Sequence, residues 1–329
     1  MLLSQLVAKE LNMSTYTETQ ATVTLNGVTV FELKNSNVNY RVFLVRNNNN
    51  EAMELSDAAK LAAFFNSKFF HMNVTKNSMA IPCGRFEHSF RIDDDDVSYL
   101  VFVIRFQHGV RRRQLNEHEL CQASHLHFVA EKMAIMHAIN TATMPSELLR
   151  VIEENHENIR RYQKRVGTQL LEILREALKG ELSRYFSIPT KIISKLETLM
   201  DSEDERAELS EHVICHGHLT AEKCFFNKTW NGSSANGYQY ELVDISEWEN
   251  VHFGDVASDL SNLIISSAEP YVRRKKYMTI FRSYYYSRVD RITTTFKLAD
   301  LKELFQKHHK EAVLMGSVFV FKVLKNSRA

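Results

Sequence analysis

Between Cys215 and Ser267 the sequence sets out an order of elements that few folds accommodate. A strand ends in the tight loop Cys215-His216-Gly217-His218-Leu219. Two further strands follow, Cys224 to Asn227 and Glu241 to Val243, joined by a turn rich in Asn, Gly and Ser from Asn231 to Gly237. Those residue types supply the backbone freedom and local hydrogen bonds of tight turns. Asp244 stands at the end of the second strand. Phe253-Gly254-Asp255-Val256-Ala257-Ser258-Asp259-Leu260 then leads into a helix that Asp259 is placed to cap and anchor.

The N-terminal third reads as strands. Val23 and Leu25 alternate with polar residues before Asn26-Gly27, and Val28 and Val30 resume after it. Asn-Gly between alternating apolar runs is a strong hairpin signal. Val38, Tyr40, Val42 and Leu44 form another strand, ended by the run Asn47 to Asn50. Leu61, Phe64, Phe65 and Phe69 predict a helix over 57–70. Asp93 to Asp96 reads as an acidic loop ahead of a long apolar strand, Tyr99 to Phe106. Past residue 115 the pattern turns helical. Asn116 and Glu119 resemble a capping box, and Leu126, Ala130, Met133 and His137 mark one buried face. Further helices are expected from Ser146 to about Leu178, over 191–200, and after Pro270, where Tyr277, Ile280, Phe281 and Tyr284 share a face. Asp201 to Glu208 is a charged connection. A small β-rich part, residues 1–108, thus precedes a larger helical part, residues 109–329.

Composition narrows the function classes. Lys plus Arg number 41 and Asp plus Glu 40, a net charge of +1. That balance gives no electrostatic argument for nucleic acid or a membrane surface, and neither is expected as a partner. Cys83, Cys121, Cys215 and Cys224 show no repeated spacing, which fits reduced thiols in a cytoplasmic protein. No basic segment followed by an apolar run opens the chain, so no signal peptide is expected. The most apolar stretch, Val313 to Val323, contains Gly316, Ser317 and Lys322 and is too short to span a bilayer. Arg111-Arg112-Arg113 reads as a solvated turn, with a phosphate or acidic contact as the alternative. Cys215, His216, His218 and Cys224 admit a zinc reading, but their spacing is not a standard one.

The stretch from His216 onward resembles the CHK kinase-like group, also called ecdysteroid-kinase-like, related to choline kinases and aminoglycoside phosphotransferases. The family loop reads His-Gly-Asp-Leu-Trp-x-x-Asn. Here His216, Gly217 and Leu219 match, while the Asp falls on His218, the Trp on Thr220 and the Asn on Lys223. Asp244 matches the metal-binding Asp, and His252-Phe253-Gly254-Asp255 with Asp259-Leu260 matches the segment after it. Met133-Ala134-Ile135-Met136-His137-Ala138 and Phe281-Arg282-Ser283-Tyr284-Tyr285 resemble two family helices, so the resemblance spans residues 80–310. It implies an α+β, protein-kinase-like fold with a β-rich N-lobe and a larger helical C-lobe. Phosphoryl transfer needs a group to position the acceptor hydroxyl, oxygen ligands for magnesium and a cation for the nucleotide phosphates. By the resemblance, His218 stands at the base position, His216 braces the loop, Asp244 is the metal ligand and Asp259 is structural. Arg46, ending Val42-Phe43-Leu44-Val45, is the nearest candidate for the nucleotide-phosphate cation.

The departures decide the expectation for activity. General-base catalysis contributes about 10²–10⁴-fold, and the imidazole of His218 does not mimic a carboxylate. Lys223 puts an ammonium where an oxygen ligand should face magnesium, which opposes metal binding. Gly27 is the only glycine before residue 84, so no Gly-rich phosphate loop is evident. An Arg has a different reach and geometry from the Lys it would replace. These losses predict a pseudokinase with little or no phosphoryl transfer, retaining a binding role toward a small molecule or a protein partner. The alternative is an active kinase that uses ATP and Mg2+ to phosphorylate a hydroxyl of a steroid-like or choline-like compound, with Asp244 holding magnesium and His218 orienting the acceptor. A truncated version of a longer family member is a third reading.

Overall fold

The computed structural model describes residues 3–19, 22–23, 29–46, 85–94, 97–106, 113–114, 121–143, 212–230, 238–246 and 248–309, with scattered helical positions over 146–198 and at 312–313. The chain divides into two units: residues 1–113, 139–151 and 225–251 form the first, and 114–138, 152–224 and 252–329 the second. The first unit therefore reaches past residue 108 and takes in two later segments.

The first unit begins with α1 (Leu3–Glu10) and continues through β1 (Thr17–Glu18), β2 (Thr22–Val23), β3 (Thr29–Lys34), β4 (Asn39–Arg46), β5 (Arg85–Asp94) and β6 (Val97–Phe106). These strands form an antiparallel sheet in the order β1-β3-β4-β6-β5, with β2 also on β3. β4 is central and buried on both faces. Val42 and Leu44 pack with Leu33, Val101, Val103 and α1's Val7, while Phe43 and Val45 pack with Phe102 and Ile104 on the opposite face. Two-sided burial explains why this strand reads as a nearly continuous apolar run. The expected N-terminal hairpin is present as β2–β3, with Thr22 opposite Val30 and Val23 opposite Thr29. The acidic run differs from expectation. Asp93 and Asp94 belong to β5 and pair with Ser98 and Val97, so the strand runs further into the acidic run than its charge suggests. Ladder hydrogen bonds and the neighbouring Arg91 offset the poor strand propensity of Asp. A second sheet holds β7 (Arg113–Gln114), β9 (Cys224–Trp230) and β10 (Tyr238–Ile245) in the order β10-β9-β7.

The second unit contains α2 (Ala123–His137), β8 (His212–Cys215), β11 (His252–Asp255), α3 (Ser258–Ser267), a π-helical turn (Val272–Lys276), α4 (Tyr277–Val289) and α5 (Asp300–Lys307). β8 and β11 pair antiparallel, with Cys215 opposite His252. The fit is close enough that a Cβ at Gly254 would lie 2.9 Å from Cys215 Sγ. α2 packs against α4. Leu126, Ala130, Met133 and His137 are buried as the spacing predicts, and Val129, Ala134, Ile135 and Met136 are buried with them. On α4, Ile280, Phe281 and Tyr284 are buried, and Tyr277 stacks on Phe305 of α5 at 4.8 Å between centroids. α2 begins at Ala123, where the Gln122 backbone N–H donates to His125 Nδ1 at 3.2 Å.

The turn at Asn26-Gly27, the runs 47–50 and 231–237, the helix over 57–70, the box at Asn116 and Glu119, Arg111-Arg112, the connection 201–208, the stretch 314–323 and Cys83 lie outside the described residues. Among the described residues, no helix is long and apolar enough to cross a membrane.

Candidate functional site

In the second unit the loop after β8 is held by one carboxylate. Asp259, in the first turn of α3, is fully buried. Its Oδ2 accepts the His216 backbone N–H at 2.6 Å, and its Oδ1 accepts the Gly217 backbone N–H at 3.0 Å. Burial alone would raise this carboxyl. It is nevertheless held below its ordinary value, because His137 and His216 face it and backbone N–H groups donate to it. His137 Nε2 lies 3.9 Å from Oδ2, a contact distance rather than a hydrogen bond. Its Nδ1 meets Tyr284 Oη at 2.8 Å, and burial pushes the imidazole down, toward its neutral form. Asp259 does not cap its own helix: Ala257 is the N-cap of α3, without a side-chain cap bond.

Within the loop, the His218 backbone N–H donates to His216 Nδ1 at 3.3 Å. His216 is fully buried and His218 half-buried. Gly217 has φ 83°, a left-handed conformation open to glycine at little cost. Lys223 is buried, with Nζ 3.9 Å from Glu222 Oε2.

α3 is buried along its whole length although it carries Ser258, Asp259, Ser261, Asn262, Ser266 and Ser267. Several of these polar groups are satisfied locally. Ser261 Oγ donates to Ala257 O and Ser266 Oγ to Asn262 O, both at 2.6 Å, and Ser267 Oγ accepts the Ala221 N–H at 2.8 Å. A polar helix can therefore sit in the core. Ahead of it, Asp255 Oδ1 accepts the Ala257 N–H at 2.9 Å.

Asp244 belongs to the first unit. It sits near the end of β10 and is 1 % exposed. Arg41 of β4 reaches it: Nη1 lies 3.7 Å from Asp244 Oδ2, and Nη2 lies 3.1 Å from Glu32 Oε1. The guanidinium also lies over the Phe225 ring, 5.1 Å from its centroid. Just past Asp244, Trp248 is buried and its Nε1–H donates to Ile245 O at 2.7 Å, fixing the chain there. Arg46 stands at the exposed end of β4.

The structure thus gathers His216, Gly217, His218 and Asp259 in one unit, and Asp244 with Arg41 in the other. Arg41 was missed from sequence. Its signal is a lone Arg inside an apolar strand, which must be paired if buried. The four residues of the zinc reading do not come together; among the described residues the gathered ligand atoms are those of His137, Cys215 and Asp259. Among the described residues, Cys121, Cys215 and Cys224 are buried and form no disulfide. The residues around Asp244 do not suit magnesium, which needs near-octahedral oxygen coordination at about 2.0–2.1 Å. A guanidinium already faces the Asp244 carboxylate, with Nη1 of Arg41 3.7 Å from its Oδ2.

The fold is similar to that of a solved small-molecule kinase. Amicoumacin kinase, in complex with AMP-PNP, Ca2+ and Ami, is 10 % identical with a TM-score of 0.52, covering 94 % of this chain and 84 % of its own. An aminoglycoside-3'-phosphotransferase of type VIII is 14 % identical with a TM-score of 0.46, covering 94 % of this chain and 98 % of its own. No curated protein matches the chain. The architecture is the α+β, two-lobed kinase-like fold that the resemblance implied. Residues 106–295, more than half of the 329, match the model of the ecdysteroid kinase-like family, and the chain belongs to that family.

Proposed function

We propose that the chain is a kinase-fold protein of the small-molecule phosphotransferase type that transfers phosphate little or not at all and keeps a binding role. One observation carries this reading. The loop backbone is built and braced, with Asp259 bonded to His216 and Gly217, yet its base position holds the half-buried imidazole of His218. Scaffold is retained where chemistry is changed. A small molecule or a protein is the proposed partner, in a cytoplasmic setting.

The family itself keeps a second reading in play. An active member would take ATP and Mg2+ and phosphorylate a hydroxyl of a lipophilic or choline-like compound. The amicoumacin kinase of similar fold is in complex with AMP-PNP and Ca2+. The two readings separate by ADP formation from ATP and Mg2+, with and without a panel of primary and secondary alcohols. The proposal expects none above a protein-free control, and a gain in His218→Asp if base loss alone is limiting. Magnesium-dependent transfer by the unaltered protein overturns it. A melting-temperature shift with ATP reports nucleotide binding separately: saturation at 100 times Kd contributes about 2.7 kcal/mol.

A further inference from the structure

We propose that Arg41 is a resident cation on Asp244, standing where a divalent metal would otherwise sit and making the first unit's acidic site metal-independent. The inference deepens the functional reading above and rests on it together with the family resemblance, which puts Asp244 at the metal position. Three observations carry it. The Asp244 carboxylate is almost fully buried, and a buried carboxylate requires a compensating positive charge. Arg41 supplies one, with Nη1 at 3.7 Å from Asp244 and Nη2 at 3.1 Å from Glu32, so one guanidinium bridges two carboxylates from β10 and β3. The group is also fixed in place. It stacks over Phe225, and its strand is the central one of the sheet, held by β3 on one side and β6 on the other.

A planar guanidinium is charged at every working pH and presents its donors in a fixed fork. A metal ion approaching Asp244 meets that like charge at short range and must displace it before reaching the oxygen. Two carboxylates flanking a single cation are also the donor type that hard divalent ions take. Removing the guanidinium while keeping the strand should therefore expose a cation site.

The test is a Mn2+ and Mg2+ titration without nucleotide, read by melting temperature and by the Mn2+ electron paramagnetic resonance signal. The unaltered protein is expected to show no shift and no bound Mn2+. Arg41→Gln, shown to be folded by circular dichroism, is expected to gain a saturable Mn2+-dependent rise in melting temperature, lost again in Arg41→Gln/Asp244→Asn. A folded Arg41→Gln protein with no gain overturns the proposal. So does Mn2+ bound by the unaltered protein and lost in Asp244→Asn, a result that needs no Arg41 variant to fold. Phosphoryl transfer is not read here. A protein that transfers nothing yet binds Mn2+ through Asp244 defeats this inference and leaves the functional reading standing; Mg2+-dependent transfer defeats the functional reading through its own assay.

Discussion

Gly217 and Asp259 show how much of the loop depends on single residues. A side chain at Gly217 must adopt the left-handed backbone that L-residues avoid at a cost of roughly 1–2 kcal/mol. Gly217→Ala is expected to lower stability by about that amount, read as a lower urea midpoint at unchanged slope. Asp259 gathers charge-assisted bonds in a fully buried site. Removing one partner of such a buried network costs about 3–5 kcal/mol. Asp259→Ala is expected in that range by denaturant titration. The pH dependence has a definite sign. The folded values of both His137 and Asp259 are lowered, so the unfolded chain binds protons more readily at each. Stability should fall as pH drops, first below about 6.5 from His137 and again below about 4 from Asp259. Asp259→Asn should flatten the second limb; an unchanged acid limb in that variant would show that the carboxylate is not its source. The motif residues of this loop were legible in sequence because local order fixes them. Arg41 was not: Glu32 meets it only through the β3–β4 register, and Asp244 comes from a distant strand of another sheet.

At the scale of elements, residue period carried most of the information. The strand over 38–44 and the buried face of 126–137 both appear where alternation and helical spacing place them. α3 was less legible. Serine is mostly an exposed residue type, and bonds to carbonyls four residues back and to the Ala221 N–H let this helix be buried. The α2–α4 contact has a similar polar pin, His137 to Tyr284. Tyr284→Phe keeps the ring and removes the hydroxyl, leaving His137 Nδ1 buried without that partner. The cost is expected at about 1–3 kcal/mol, checked by thermal or urea unfolding; a neutral result would mean the imidazole finds another donor or acceptor.

At the scale of the whole molecule, the buried thiols offer a probe. Cys121 is pushed up to about 12 by burial, and Cys215 and Cys224 are also buried. The thiolate is the reactive form, so these three should resist alkylation in the folded protein and react on unfolding. Mass spectrometry of pulse-alkylated peptides across a urea series checks this; rapid labelling of Cys215 under native conditions would mean that the β8–β11 pair opens locally. The division into units has a consequence for biosynthesis. Most domains mature in order as the chain emerges, the N-terminal one first. Here the first unit needs residues 225–251, and the second draws on 114–138, 152–224 and everything from 252 onward. The loop at His216 waits 43 residues for the carboxylate that braces it. Until residues 225–251 emerge neither unit is complete, and a nascent chain stalled before Phe225 would carry two incomplete bodies rather than one mature domain and a tail.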